Sequence, residues 1–137
     1  MILLGHDETV ADWVGNINGK PFHAPFTAIG VLNGEGMLTG GYVFTGFNGD
    51  GVEVSMAGRG CISRSACAAM LSYVFEQLGC SRLQMHTRRS NKTLRKLAPR
   101  LGFHHEGVAR KFYGKEDGLL FSLTTDDLSA FRAKWRI

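Results

Sequence analysis

Long apolar runs are missing from this chain. No stretch among its 137 residues approaches the ~18 apolar residues of a membrane span, so no membrane association is expected. Met1-Ile2-Leu3-Leu4 is apolar but stops at Gly5 and runs into His6-Asp7-Glu8. A signal peptide needs a longer apolar core and a basic flank, so none is expected, and the cytoplasm is the expected location. Cysteine is scarce and odd in number: Cys61, Cys67 and Cys80. Neither these nor the 5 scattered histidines show ligand-like spacing, so no metal is expected. The thiols read as buried and reduced. Repeats, linkers and low-complexity tracts are also absent. The chain fits one domain over residues 1–137, able to bury roughly 70% of its unfolded surface without staples.

Acids are nearly absent from one region. Between Arg82 and Lys111 lie 9 of the 16 Lys and Arg residues, against a single acid, Glu106. The net charge is +4.

What is present is a regular succession of elements. Asp7 to Asn18 reads as a helix, with Asp7 able to cap it and Val10, Trp13, Val14 and Ile17 on one face. Phe26 to Leu32 and Met37 to Phe47 read as strands joined by a turn at Asn33-Gly34-Glu35-Gly36. Val52-Glu53-Val54-Ser55-Met56 alternates as a third strand. A helix from about Ser63 to Leu78 is apolar over too wide a stripe for a wet surface, and Gly79 stops it. Then follow a strand at Arg82–Thr87, a helix at Ser90–Leu101, strands near 103–113 and 118–124, and a terminal helix from Asp126 to about Trp135. Pro99 predicts a frayed or kinked end to the second of these helices. Strands followed by alternating helix and strand predict an α/β (α+β) mixed sheet with helices on both faces.

One spacing is specific. Asn91, 11 residues, then Phe103 closing Leu101-Gly102-Phe103, then Glu106-Gly107, resembles the GNAT superfamily of N-acetyltransferases. It is closest to their ribosomal-protein N-terminal acetyltransferase branch and to short stand-alone bacterial and phage members. The resemblance implies a twisted mixed sheet of six or seven strands whose fourth and fifth strands, here 51–57 and 82–88, splay apart around the pantetheine arm of acetyl-CoA. It also implies direct attack of a primary amine on that thioester, with the identity of the acceptor not legible.

The family's pyrophosphate loop, Arg or Gln, two residues, Gly, one residue, then Gly or Ala, aligns with Gly58-Arg59-Gly60-Cys61-Ile62-Ser63. Gly58, Cys61 and Ser63 occupy the three motif slots, so the motif is degraded. Arg59 and Gly60 could replace what is displaced, and Ser63, Arg64 and Ser65 could present amides and hydroxyls at a helix start. With Met56, Ile62, Asn91 and Lys92 these residues make up the implied cofactor-binding set. Asn91 can equally be a helix cap.

For catalysis the resemblance implies Glu53 as base, directly or through water, and backbone amides near Ser55 and Met56 as oxyanion donors. The position where many relatives keep a tyrosine proton donor is Ala98, so Tyr113 and Ser90 are candidate replacements, while Tyr73 reads as core. The basic segment fits a solvated face, contacts from Lys92, Arg95 or Arg59 to CoA phosphates, or nucleic-acid phosphate contacts. The rival reading is a catalytically lapsed domain that binds nucleic acid or protein. A homodimer is left open.

Overall fold

A computed structural model describes all 137 residues. The elements in chain order are β1 (Ile2–Leu3), α1 (Asp7–Asn18), β2 (Thr27–Leu32), β3 (Leu38–Thr45), β4 (Gly51–Ala57), α2 (Arg64–Leu71), β5 (Arg82–Arg88), α3 (Lys92–Leu101), β6 (His104–Ala109), β7 (Gly118–Thr124) and α4 (Leu128–Trp135). All 7 strands form one sheet in the order β1-β2-β3-β4-β5-β7-β6. Only β4 and β5 are parallel neighbours; every other adjacent pair is antiparallel. This is the mixed sheet that the element pattern implies. No helix is long and apolar enough to cross a membrane.

Period-two alternation assigns the sheet's two faces. Val10, Ala11 and Val14 of α1 pack with Ala28, Val43 and Ala57 on one face. Tyr42, Phe44, Val52, Val54 and Met56 point to the other, against Cys67, Met70 and Leu71 of α2 and Ala98 and Leu101 of α3. Leu83, Met85, Phe121 and Leu123 extend that core under α3 and α4. The α1 face is therefore helix-covered only over β2 to β4, and the odd-numbered side chains of β4 reach its edge.

The structure departs from the sequence expectations at several elements. Asp7 does not cap α1; its Oδ1 accepts the Ala28 N–H at 3.0 Å and ties the helix start to β2. The expected long helix is α2 followed by a wider π-helical stretch, Ser72–Gln77, stopped at Gly79. Pro99 neither frays nor ends α3, which continues to Leu101 and closes through the Gly102 N–H on the carbonyls of Ala98 and Pro99. The sixth strand ends at Ala109, so Tyr113 belongs to the turn that follows and not to the strand.

Candidate active site

The β4–β5 ladder is short. Gly51, Val52 and Glu53 pair with Arg82, Leu83 and Gln84, and there the pairing stops, although both strands continue. The outer neighbours hold each strand on its own course: Thr45 to Gly41 of β3 pair with Glu53 to Ala57, and β7 pairs with β5 from Arg82 to Arg88. A gap opens beyond Glu53 as a result. A cavity of about 440 Å³ occupies it, within the ordinary size range of a small-molecule site. Its walls are β4, β5, the start of α3, residues between Ile17 and His23 at the end of α1 and just beyond it, and the pair Phe112-Tyr113.

Strand geometry decides which backbone groups face the gap. The Gly51 carbonyl accepts from Asn48 on the β3 side, whereas the Met56 carbonyl accepts the Asn18 side-chain amide at 3.3 Å. Because backbone groups alternate sides along a strand, the amides of the odd-numbered residues turn to β3. The Ser55 amide is thus committed to the ladder. The Met56 amide faces the gap, so of the two expected oxyanion donors Met56 has the right direction. Ser55 contributes its half-buried side chain to the cavity wall.

Glu53 is the last paired residue of β4, and its side chain lies on the open part of the α1 face. Its Oε1 accepts from Gln84 Nε2 at 3.1 Å and lies 2.8 Å from His86 Nδ1. Gln84 and His86 alternate on the same face of β5. The imidazole stacks on Phe112, with ring centroids 4.0 Å apart and planes at 16°. Tyr113 meets Phe112 edge-on, and the Arg88 guanidinium lies 4.4 Å from its ring centroid. Burial, with Glu53 and Glu116 adding to it and Arg88 opposing, raises the Tyr113 phenol above its ordinary pKa. Such a phenol stays protonated and can donate.

Asn91 caps α3, its Oδ1 accepting the Leu94 N–H at 3.1 Å, and it also lines the cavity. The capping expectation holds, and the same residue borders the cavity. Lys92 is exposed at the next position and does not line the cavity. The Ser90 N–H is bonded to Glu116 Oε2 at 2.6 Å, outside the cavity wall. Ala98 is fully buried.

The loop after β4 is seated outside the cavity wall. Arg59–Cys61 form one 3-10 turn lying on β3. A side chain at Gly58 would collide with the Thr39 carbonyl, and one at Gly60 would sit 2.9 Å from the Gly40 nitrogen. Their smallness serves packing against β3. Cys61 is buried, its Sγ donating to the carbonyls of Gly41 and Ala57, while its carbonyl accepts from Tyr42 Oη at 2.7 Å. The Cys61 and Ile62 amides are used on Gly58 and Arg59 carbonyls, which removes them from the expected phosphate donors. The amides of Ser63, Arg64 and Ser65 have no acceptor within the protein. They open α2, with the exposed cations Arg59 and Arg64 beside them and no acid paired to either. Backbone donors, helix dipole and cations together fit a diphosphate.

All three cysteines are free and buried. Burial pushes the Cys61 and Cys67 thiols up to about 11 and raises Cys80 as well. None of the three is a poised nucleophile.

His86 and Gln84 are the site residues that sequence reasoning missed. The available signal was the alternation of Gln84, His86 and Arg88 along β5, opposite the apolar Leu83 and Met85.

No family model matches the sequence, and no curated protein matches it. Solved structures do match the fold. The spermidine/spermine N-acetyltransferase SpeG from Vibrio cholerae aligns at a TM-score of 0.72 with 14% identity, covering 95% of this chain and 95% of that one. The ribosomal-protein-S5-alanine acetyltransferase from Vibrio fischeri aligns at 0.60 with 23% identity, over 74% of this chain and 63% of its own length. A GCN5-related N-acetyltransferase from Brucella melitensis aligns at 0.67 with 22% identity; this chain covers 80% of itself and spans 56% of that protein. The fold shared with these proteins is that of the GCN5-related N-acetyltransferases.

Proposed function

We propose that this chain, built on the GCN5-related N-acetyltransferase fold, transfers an acetyl group from acetyl-CoA to a primary amine by direct attack. The observation that carries the reading is the opening of β4 from β5 immediately beyond Glu53, beside a carboxylate and an unpaired strand amide. An unpaired strand edge recognises another amide chain, and the pantetheine arm of CoA is one. Ser63, Arg64 and Ser65, with Arg59 and Arg64 side chains, would hold the pyrophosphate, and Asn91 would border the arm. Bound acetyl-CoA would supply an activated acyl group.

The Met56 amide is aimed to stabilise negative charge developing on a carbonyl oxygen in the gap. The Glu53 cluster draws the proton from the acceptor amine. Tyr113, kept protonated by its surroundings, can return a proton to the departing sulfur. The buried, high-pKa thiols support direct transfer over an acyl-cysteine route. The amine would enter between the Ile17–His23 segment and Phe112-Tyr113. Fold neighbours acting on spermidine or on a ribosomal protein set the acceptor classes to try first: polyamines and protein N-termini.

The test is release of free CoA thiol from acetyl-CoA with a panel of polyamines, N-terminal peptides and small amines. Amine-dependent release supports the reading. A chain that binds an oligonucleotide at submicromolar affinity in physiological salt, and neither binds nor turns over acetyl-CoA, is instead a binding module.

A further inference from the structure

We propose that His86, through Nε2, is the group that takes the proton from the acceptor amine, and that Glu53 is a positioning residue acting through it. The proposal rests on the acetyl-transfer reading above and assigns its base. A carboxylate can only accept hydrogen bonds. With His86 Nδ1 2.8 Å from Glu53 Oε1, the shared proton belongs on Nδ1. A neutral imidazole held that way presents its lone pair at Nε2. That nitrogen has no partner in the protein and is not sealed from solvent, and the ring lines the cavity in the β4–β5 gap.

Two further observations favour the imidazole over the carboxylate. Glu53 Oε1 is already shared between Gln84 and His86, so the side chain is held from β5 like the orienting acid of a hydrolytic triad. Position along the strands matters more. Glu53 pairs with Gln84 at the last rung, so by register His86 lies level with Ser55, across the opening gap, and it lines the same cavity as Met56. The Glu53 backbone lies two residues, roughly 6–7 Å, behind that level, and its carboxylate reaches the Nδ1 side of the ring, which leaves Nε2 as the free nitrogen. Stacking on Phe112 at 4.0 Å fixes the ring plane.

The step balances as follows. The amine nitrogen forms a bond to the thioester carbonyl carbon and gives one proton to His86 Nε2. The carbon–sulfur bond breaks, and the thiolate takes a proton from Tyr113. The imidazolium loses its proton to solvent, from which the Tyr113 phenolate is reprotonated. The products are the N-acetyl amine and CoA thiol, with no other reactant required.

The experiment has a spectroscopic and a kinetic arm on the full chain. Long-range proton–nitrogen NMR correlations of the wild-type protein should find neutral His86 protonated on Nδ1; protonation on Nε2 overturns the proposal. In Glu53→Gln this tautomer preference should weaken, a change that a merely structural glutamate would not produce. His86→Gln should lower kcat by about 10²- to 10⁴-fold with acetyl-CoA affinity unchanged. Glu53→Gln should cost less, and the double variant no more than His86→Gln alone. Near-normal kcat in His86→Gln alongside a large loss in Glu53→Gln makes Glu53 the base and overturns the proposal. Wild-type protein that transfers acetyl to no amine overturns the acetyl-transfer reading, and this assignment with it.

Discussion

Asn91 does two things with one side chain: it caps α3 and borders the cavity. Asn91→Ala should therefore lower stability by about 1 kcal/mol and also weaken acetyl-CoA binding. Thermal melts and calorimetric titration separate the two, and an unchanged dissociation constant would leave only the cap. The cysteines give a second residue-scale expectation. With all three thiols buried and burial raising each of them, a thiol reagent at mildly alkaline pH should label none in the native protein. Intact mass after brief exposure checks this, and rapid labelling without unfolding would show a thiol available to catalysis. Glu53 was legible because β4 alternates cleanly, which sets it opposite the core. His86 was not, since a lone histidine in Leu-Gln-Met-His-Thr is unremarkable until parallel pairing brings it to a carboxylate 33 positions away.

Among elements, the loop between β4 and α2 is controlled from β3. A side chain at Gly40 would lie 2.6 Å from the Cys61 backbone nitrogen, so the 3-10 turn, not a flexible side chain, would have to move. Gly40→Ala should cost about 1–3 kcal/mol and weaken acetyl-CoA through displacement of the α2 start; denaturant melts and titration measure both. A tie between β5 and β6 gives a pH signature. Arg82 makes two hydrogen bonds to Glu106, at 2.9 and 2.6 Å, and these, with Ser122, lower the Glu106 carboxyl to about 2. A folded-state pKa below the unfolded one contributes stability above the ordinary glutamate pKa, near 4.3, and that contribution is lost as pH falls toward 2. The pair is about one-third exposed, so solvent screening holds it to roughly 0.2–1 kcal/mol. Glu106→Gln should narrow the stability difference between pH 6 and pH 3, and an unchanged difference would show that the pair contributes nothing. Helix α1 and strands β4, β5 and β7 were readable from periodicity and turn residues. The fate of Asp7, the π-helical stretch and the turn around Tyr113 depended on tertiary partners that local sequence does not contain.

For the molecule as a whole, the mixed sheet was legible from element order, and the β4–β5 gap only through the family resemblance. Charge looked different once folded. The stretch from Arg82 to Lys111 holds one acid, yet Arg88 and Arg89 meet Glu116 and Asp117 of the β6–β7 turn at 3.4 and 3.5 Å. The acids lay just beyond the sequence window, so part of the apparent basic stripe is neutralised, leaving less of it for a nucleic-acid backbone. The central claim is that the gap beyond Glu53 is an acetyl-CoA site, and direct titration tests it. Calorimetry should give a single saturable site, and acetyl-CoA at 100 times its dissociation constant should stabilise the fold by about 2.7 kcal/mol. No heat and no shift in melting temperature at millimolar acetyl-CoA would contradict it.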